Sequence, residues 1–273
     1  MNGIPALAEH KPGIRETTPR VFMIARPSVD LEPMREYLED VGGASWLHMR
    51  TSEEQRNDAE MLVEFAGRMC YRSWEPGLNR NVTRVRTDQQ QYFANLLSSF
   101  HGSVLEHASF SFAFRQVSRV FTHELVRHRA GSAFSQESLR YVRLTDIGFR
   151  VPPALEPVRD QVLSLVEQLE EFQLSAADAL GLDDEGVPFA VKKEITSALR
   201  RLAPIGLSTD IIWTANVRTL RHVIEMRTAP GAEEELRLVF DQVATIMKSE
   251  APNLFQDFTR GDDGSWVPQY RKV

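Results

Sequence analysis

Residues 123–141 read HELVRHRAGSAFSQESLRY. The opening letters imitate the helical zinc-protease motif, in which His at i and i+4 put both ligands on one face and Glu at i+1 serves as base. Here the second histidine, His128, follows His123 at i+5, a rotation of about 140° around a helix. The two rings leave the common face, and the zinc reading fails. What remains is Arg127-His128-Arg129, followed by Ser132, Ser135, Ser138 and Arg140.

Guanidinium forks bind phosphate oxygens through paired hydrogen bonds, and serine hydroxyls with loop N–H groups complete an anion nest. The competing reading is a solvated basic face at a helix end, where arginine complements the C-terminal dipole. Composition bears on the choice without making it. The chain of 273 residues has a formal net charge of −6, which argues against general nucleic-acid binding. Basic residues nevertheless cluster: Arg127 to Arg143 holds four arginines and His128 against the single acid Glu137, and Arg218, Arg221, His222 and Arg227 form a second group. Basic spots on an acidic protein point to a small anionic ligand such as a nucleotide.

Other chemistries find little support. The fifteen glycines include neither G-x-G-x-x-G nor G-x-x-x-x-G-K-[ST], so no Rossmann turn or P-loop is signalled. His101 and His107 flank Glu106 without the spacing of a metal site, and no metal is expected. The single cysteine, Cys70, lies in EMLVEFAGRMCY, whose apolar spacing reads as a packed helix rather than a nucleophile's setting. No run approaches the eighteen or so apolar residues of a membrane span, and the first thirty lack the order of a secretory signal. A cytoplasmic location follows as the expectation.

The spacing predicts a strand over 20–26 and helices over 53–71 and 89–100. A long polar connection over 75–87 separates those helices. In 108–116, ASFSFAFRQ, Phe110, Phe112 and Phe114 alternate with small residues, the period of a half-buried strand. Ser118 is placed to cap a helix running to about 129. Further helices are expected over 158–180, 188–202, 216–226 (capped by Asn216) and 233–249. Helices dominate, and the strands do not alternate regularly with them. An α+β class with a mixed or antiparallel sheet is expected. A loose arm over 1–18, a single domain over 19–260 and a polar tail over 261–273 complete the expected organisation.

Several ordered motifs, HExVRHR, SQESLRY and WTANVRTLRHVIEMR, with HGSVLEH and RRLAPIGLSTDIIWTAN in support, resemble the flavin-dependent thymidylate synthases. The likeness spans 101–258. That family's hallmark is R-H-R, two residues, Ser, four residues, Ser, one residue, Arg. This chain places five residues, AFSQE, between Ser132 and Ser138. The nucleotide loop is thus one residue longer.

The resemblance implies a flavin-dependent thymidylate synthase-like fold assembled as a homotetramer with shared sites. It implies FAD-dependent methylation of dUMP at C5, with NADPH and methylenetetrahydrofolate as co-substrates and no cysteine nucleophile. By matched position, His101, Ser103, Arg127, His128, Arg129, Asn216, Arg218 and His222 are implied as FAD-binding residues. Glu124 is implied at the sugar of the nucleotide. Gln136, Glu137, Ser138, Leu139 and Arg140 form the nucleotide loop with Arg200, and Arg127 also lies on the substrate side. Arg227 is implied as the residue that polarises the pyrimidine. The same chemistry on UMP, in specialised nucleoside synthesis, is the alternative, and a non-catalytic flavin or nucleotide binder a more distant one. Neither nucleic acid nor membrane is an expected partner.

Overall fold

The computed structural model describes residues 15–51, 56–141 and 148–273. Residues 1–14 of the expected arm, 53–55 of the expected helix over 53–71, and Arg143 lie outside the described residues. In chain order the elements are β1 (Arg15–Glu16), β2 (Arg20–Ala25), α1 (Leu31–Val41), α2 (Ala44–Thr51), α3 (Asp58–Tyr71), α4 (Gln89–Ser98), β3 (Ser109–Ser118), α5 (Arg119–Leu125) and β4 (Ser132–Gln136). There follow β5 (Gly148–Phe149), α6 (Arg159–Ala179), α7 (Phe189–Leu199), β6 (Ser208–Asn216), α8 (Val217–Thr228), α9 (Glu234–Glu250), β7 (Phe258–Arg260) and β8 (Trp266–Pro268). Short 3-10 turns occupy Gly102–His107, Pro153–Val158 and Arg200–Leu202. The α+β class holds: one sheet has the order β2-β3-β6-β4, β1 pairs with β5 in parallel, and β7 with β8 antiparallel.

The chain divides into two compact units, where the sequence reading has one domain. The first comprises Met1–Arg20, Phe114–Leu125 and Ser135–Ile211. Its apolar centre gathers Phe149, Val166 and Leu207, with Leu139 packed against them. The end of the expected arm is ordered here. Besides the β1 pairing, Thr17 N donates to Phe149 O at 3.2 Å and the Thr17 hydroxyl bonds Ser208 Oγ at 2.7 Å.

The second unit comprises Val21–Ala113, Val126–Phe134 and Ile212–Val273. Leu38, Trp46, Met61 and Trp74 form one cluster, and Trp213 packs on Phe112 and Phe240. A buried carboxylate, Glu64, sits among these helices. It accepts from Trp46 Nε1 at 2.9 Å, Arg50 Nε at 2.8 Å and Arg68 Nε at 2.8 Å. The same arginines donate to the carbonyls of Ser73, Arg86 and Thr87, which fixes the polar connection between α3 and α4. Burial alone would raise the Glu64 pKa, but hydrogen bonds from Arg50 and the charge of Arg68 bring it below the ordinary glutamate value.

Residues 261–273, read from sequence as a polar tail, are also docked. Trp266 is buried, its backbone N–H bonds Thr228 Oγ1 at 2.8 Å and its Nε1 bonds Asp241 Oδ1 at 2.8 Å. Cys70, expected inside the core, is exposed. The buried stripe of α3 runs through Met61, Glu64, Gly67 and Arg68, and Cys70 lies off it. Among the described residues no helix is long and apolar enough to cross a membrane.

Candidate active site

Strand β3 keeps its alternation through Phe110, Phe112 and Phe114 and then breaks at Gln116, whose φ is 58°. Val117 and Ser118 are both buried as a result. Ser118 Oγ accepts from Phe121 N at 3.0 Å, the expected cap of α5. This helix ends at Leu125, however, four residues short of the expected 129.

The shortfall has a cause within the second unit, where residues 126–131 turn to dock along α8. Asn216 N donates to Gly131 O at 3.1 Å, and Thr219 Oγ1 donates to Ala130 O at 2.8 Å. Gly131 has φ +64°, and a Cβ there would come within 2.4 Å of Asn216 Nδ2. Only glycine closes this turn without strain. Asn216 is the expected cap of α8, its Oδ1 accepting from Thr219 N at 2.9 Å.

Turn and helix enclose a cleft of about 570 Å³ lined by Arg127, His128, Arg129, Asn216, Arg218 and His222, together with Glu106. Six of the eight residues matched to the flavin thus lie on one cavity. Arg218 and His222 share a face of α8 at i and i+4. Arg218 Nη1 bonds Glu106 Oε1 at 2.6 Å, leaving Arg127 and Arg129 exposed at the mouth beside the positive end of the helix. His222 is exposed, and its ring lies edge-on to that of His128 at 6.1 Å. Arg227, the matched pyrimidine residue, donates from Nε to His128 Nε2 at 2.8 Å.

His101 and Ser103 are placed differently. His101 lines a second cavity, of about 360 Å³, where its ring stacks on Tyr71 at 5.5 Å and 13° and its Nε2 bonds Tyr71 Oη at 3.1 Å. Ser103 lies exposed on the 3-10 turn Gly102–His107.

The matched nucleotide residues 136–140, with Glu124 and Arg200, belong to the first unit. Gln136 Nε2 donates to Thr122 Oγ1 at 3.1 Å, and Glu137 N donates to Asp210 O at 3.0 Å. Ser138 Oγ accepts from Arg140 N at 3.3 Å, so this hydroxyl turns the loop. The Arg140 guanidinium lies 5.9 Å from the Tyr141 ring, and Leu139 and Arg200 line a pocket of about 120 Å³. Glu124 is half-buried on α5.

One cation of this group was not singled out from sequence. Arg119 donates from Nη2 to Glu137 O at 3.1 Å, while its Nε is buried with no hydrogen-bond partner. Burial lowers its pKa; Glu137 opposes this, and Arg200 adds to it. An arginine at the first position of a helix opposes the helix dipole. That local cost was the available signal. Among the described residues, no group of three or more His, Cys, Asp or Glu side chains is gathered to hold a metal ion.

The family model described as thymidylate synthase complementing protein matches residues 53–253. A flavin-dependent thymidylate synthase of Mycolicibacterium gilvum is 32% identical over 244 residues, covering 88% of this chain and 89% of its own length. The chain belongs to the flavin-dependent thymidylate synthase family. It is an enzyme of the methyltransferase type. Among solved structures, the UMP/dUMP methylase of Streptomyces cacaoi bound to 5-Br UMP shares the fold of this thymidylate synthase family member, with a TM-score of 0.59 at 18% identity over 89% of this chain and 95% of that one. Thymidylate synthase X of Helicobacter pylori with FAD and dUMP gives a TM-score of 0.52 at 20% identity, covering 72% and 93%.

A flavin dinucleotide brings a diphosphate and a planar ring. The cleft of the second unit offers three guanidinium groups about one helix N-terminus, and its volume of about 570 Å³ lies in the range of small-molecule sites. The donor set fits the group.

Proposed function

We propose that this enzyme methylates a uracil nucleotide at C5, with dUMP the principal substrate, methylenetetrahydrofolate the one-carbon donor and NADPH the reductant. The observation that carries the reading is the union of Arg127–His128–Arg129 with α8, which puts a cationic cleft and Arg227 on the same two segments. Bound flavin supplies the hydride, taken from NADPH, that completes the methyl group.

The chain's own residues bind and polarise. Arg127, Arg129 and Arg218 neutralise the cofactor's diphosphate, with Asn216, His222, His101 and Ser103 completing its contacts. Arg140, Arg200 and the additional Arg119 hold the nucleotide phosphate, with Gln136, Glu137, Ser138 and Leu139 shaping the loop around it. Arg227 stabilises negative charge developing at N3 and its flanking carbonyls, which makes C5 nucleophilic toward the folate carbon. By comparison with oxyanion donors, such a fixed guanidinium contributes roughly 3 kcal/mol. No protein nucleophile is needed. Assembly as a homotetramer with shared sites belongs to the same proposal and is checked by light scattering.

A second reading, the same reaction on UMP, is favoured by Glu124, a half-buried carboxylate able to accept a bond from a ribose 2′-hydroxyl. Flavin-loaded protein assayed with dUMP and UMP under one condition decides between the two. A strong dUMP preference retires the UMP reading, and NADPH oxidation with no methylated product from either nucleotide overturns both.

A further inference from the structure

Of the three consecutive residues 127–129, the two arginines are exposed at the mouth of the cleft while His128 is half-buried, with one ring nitrogen already engaged. Its Nε2 lies 2.8 Å from Arg227 Nε. An arginine Nε–H only donates, so Nε2 must present its lone pair, and the single proton of the neutral ring resides on Nδ1. An imidazolium would set donor against donor at this contact.

The contact also closes a frame. The turn is tied to the start of α8 by Thr219 Oγ1 on Ala130 O and by Asn216 N on Gly131 O. Thr219, Val223 and Arg227 follow at i, i+4 and i+8 on one face, about 12 Å of helix. His128 therefore grips the far end of the same face whose near end the turn already holds. Fixing Nε fixes the plane of the guanidinium, and so the direction in which its two terminal nitrogens point.

We infer that His128 is a positioning residue which, as a neutral Nδ1-protonated imidazole, orients Arg227, and that its Nε2 does not hold the flavin. The inference rests on the reading of Arg227 as the pyrimidine-polarising group. Its geometric part stands apart from activity.

The test uses the flavin-loaded full chain and the variants His128→Gln, His128→Phe, Arg227→Ala and the double variant His128→Phe/Arg227→Ala. Glutamine Oε1 can accept where Nε2 did, whereas phenylalanine keeps the ring without an acceptor. His128→Gln is expected to hold kcat within about threefold of wild type, and His128→Phe to lower it roughly ten- to a hundredfold. Flavin content and nucleotide KM should be unchanged in both. The double variant should be no slower than Arg227→Ala alone, since both changes remove one arrangement. Nitrogen-15 spectra of histidine-labelled protein should show His128 as the Nδ1–H tautomer in wild type and a changed spectrum in Arg227→Ala. Equal failure of the Gln and Phe variants accompanied by flavin loss, or a wild-type ring protonated on Nε2, overturns the inference. Should wild type methylate neither nucleotide, the functional reading falls, and the nitrogen-15 spectra still decide the contact between His128 and Arg227.

Discussion

Replacing Arg119 by leucine removes a cation that the sequence motif does not contain, and so tests the nucleotide site where the structure adds most. Its Nη2 is already used on Glu137 O at 3.1 Å, whereas its buried Nε has no hydrogen-bond partner. An incoming phosphate therefore gains one charge-assisted bond at Nε rather than a full bidentate pair. Such bonds contribute about 1.5–3 kcal/mol. With one of them lost, the lower end applies, and dUMP affinity should fall about tenfold at 1.4 kcal/mol per decade. Titration calorimetry with dUMP and with deoxyuridine separates a phosphate contact from a general disturbance of residues 137–140. The nucleotide should weaken and the nucleoside should not. Arg119→Lys keeps the charge but has no N–H at that depth, and should recover only part of the loss. An equal weakening of deoxyuridine, or no change with dUMP, would refute the assignment.

Arg227→Ala should retain its flavin, read from the visible absorption of the purified protein, and lose about 10²–10³ in methyl transfer; undiminished transfer would remove Arg227 from the chemistry. Gly131→Ala places a Cβ within 2.4 Å of Asn216 Nδ2 at a φ of +64°; a loss of about 1–3 kcal/mol in urea unfolding, with reduced flavin content, is expected. Glu64→Leu leaves Arg50 and Arg68 buried without their carboxylate and should cost about 3–5 kcal/mol. Because the folded pKa of Glu64 lies below the ordinary 4.5, its stabilisation is complete above that value and is lost as pH falls through the folded pKa. Burial raises the pKa of Glu60 and gives the opposite slope in the same range, so wild type should be compared with Glu64→Gln at each pH. A wild-type curve no steeper in acid than that of the variant would contradict the Glu64 account.

Periodicity was enough to read the elements that bury one face. The alternating phenylalanines gave β3, Ser118 and Asn216 marked their caps, and the helices over 89–98, 159–179 and 234–250 fall close to where the spacing put them. The same signal is present in β6, where Thr209, Ile211, Trp213 and Ala215 alternate with less buried residues. The early end of α5 was not legible, because local propensity continues the helix through 129 and only the docking of the turn on α8 stops it. Nor was the order of residues 261–273, whose polar composition hides one buried Trp266 with two bonds to distant residues. At the site, spacing along α8 joined Arg218 to His222. The separation of His101 into a cavity with Tyr71 depends on contacts 30 residues apart in sequence.

The longer interval between Ser132 and Ser138 runs along β4 and into the turn that follows it. Ser132 is anchored, its Oγ accepting from Trp213 Nε1 at 3.0 Å. From there the strand alternates without a break, with Ser132, Phe134 and Gln136 half-buried and Ala133 and Ser135 exposed. One more residue within a strand exchanges the two sets, since side chains change sides at every step. The half-buried set ends on Gln136, which is bonded to Thr122. Beyond Gln136 the chain turns at Glu137 and Ser138, where Ser138 Oγ accepts from Arg140 N and Tyr141 N donates to Ser138 O at 3.0 Å. These residues are the proposed phosphate loop. A change there alters how the phosphate is gripped, and both uracil nucleotides carry the same phosphate. On the proposed function, discrimination between ribose and deoxyribose is assigned to the half-buried carboxylate of Glu124 rather than to the phosphate contacts of this loop.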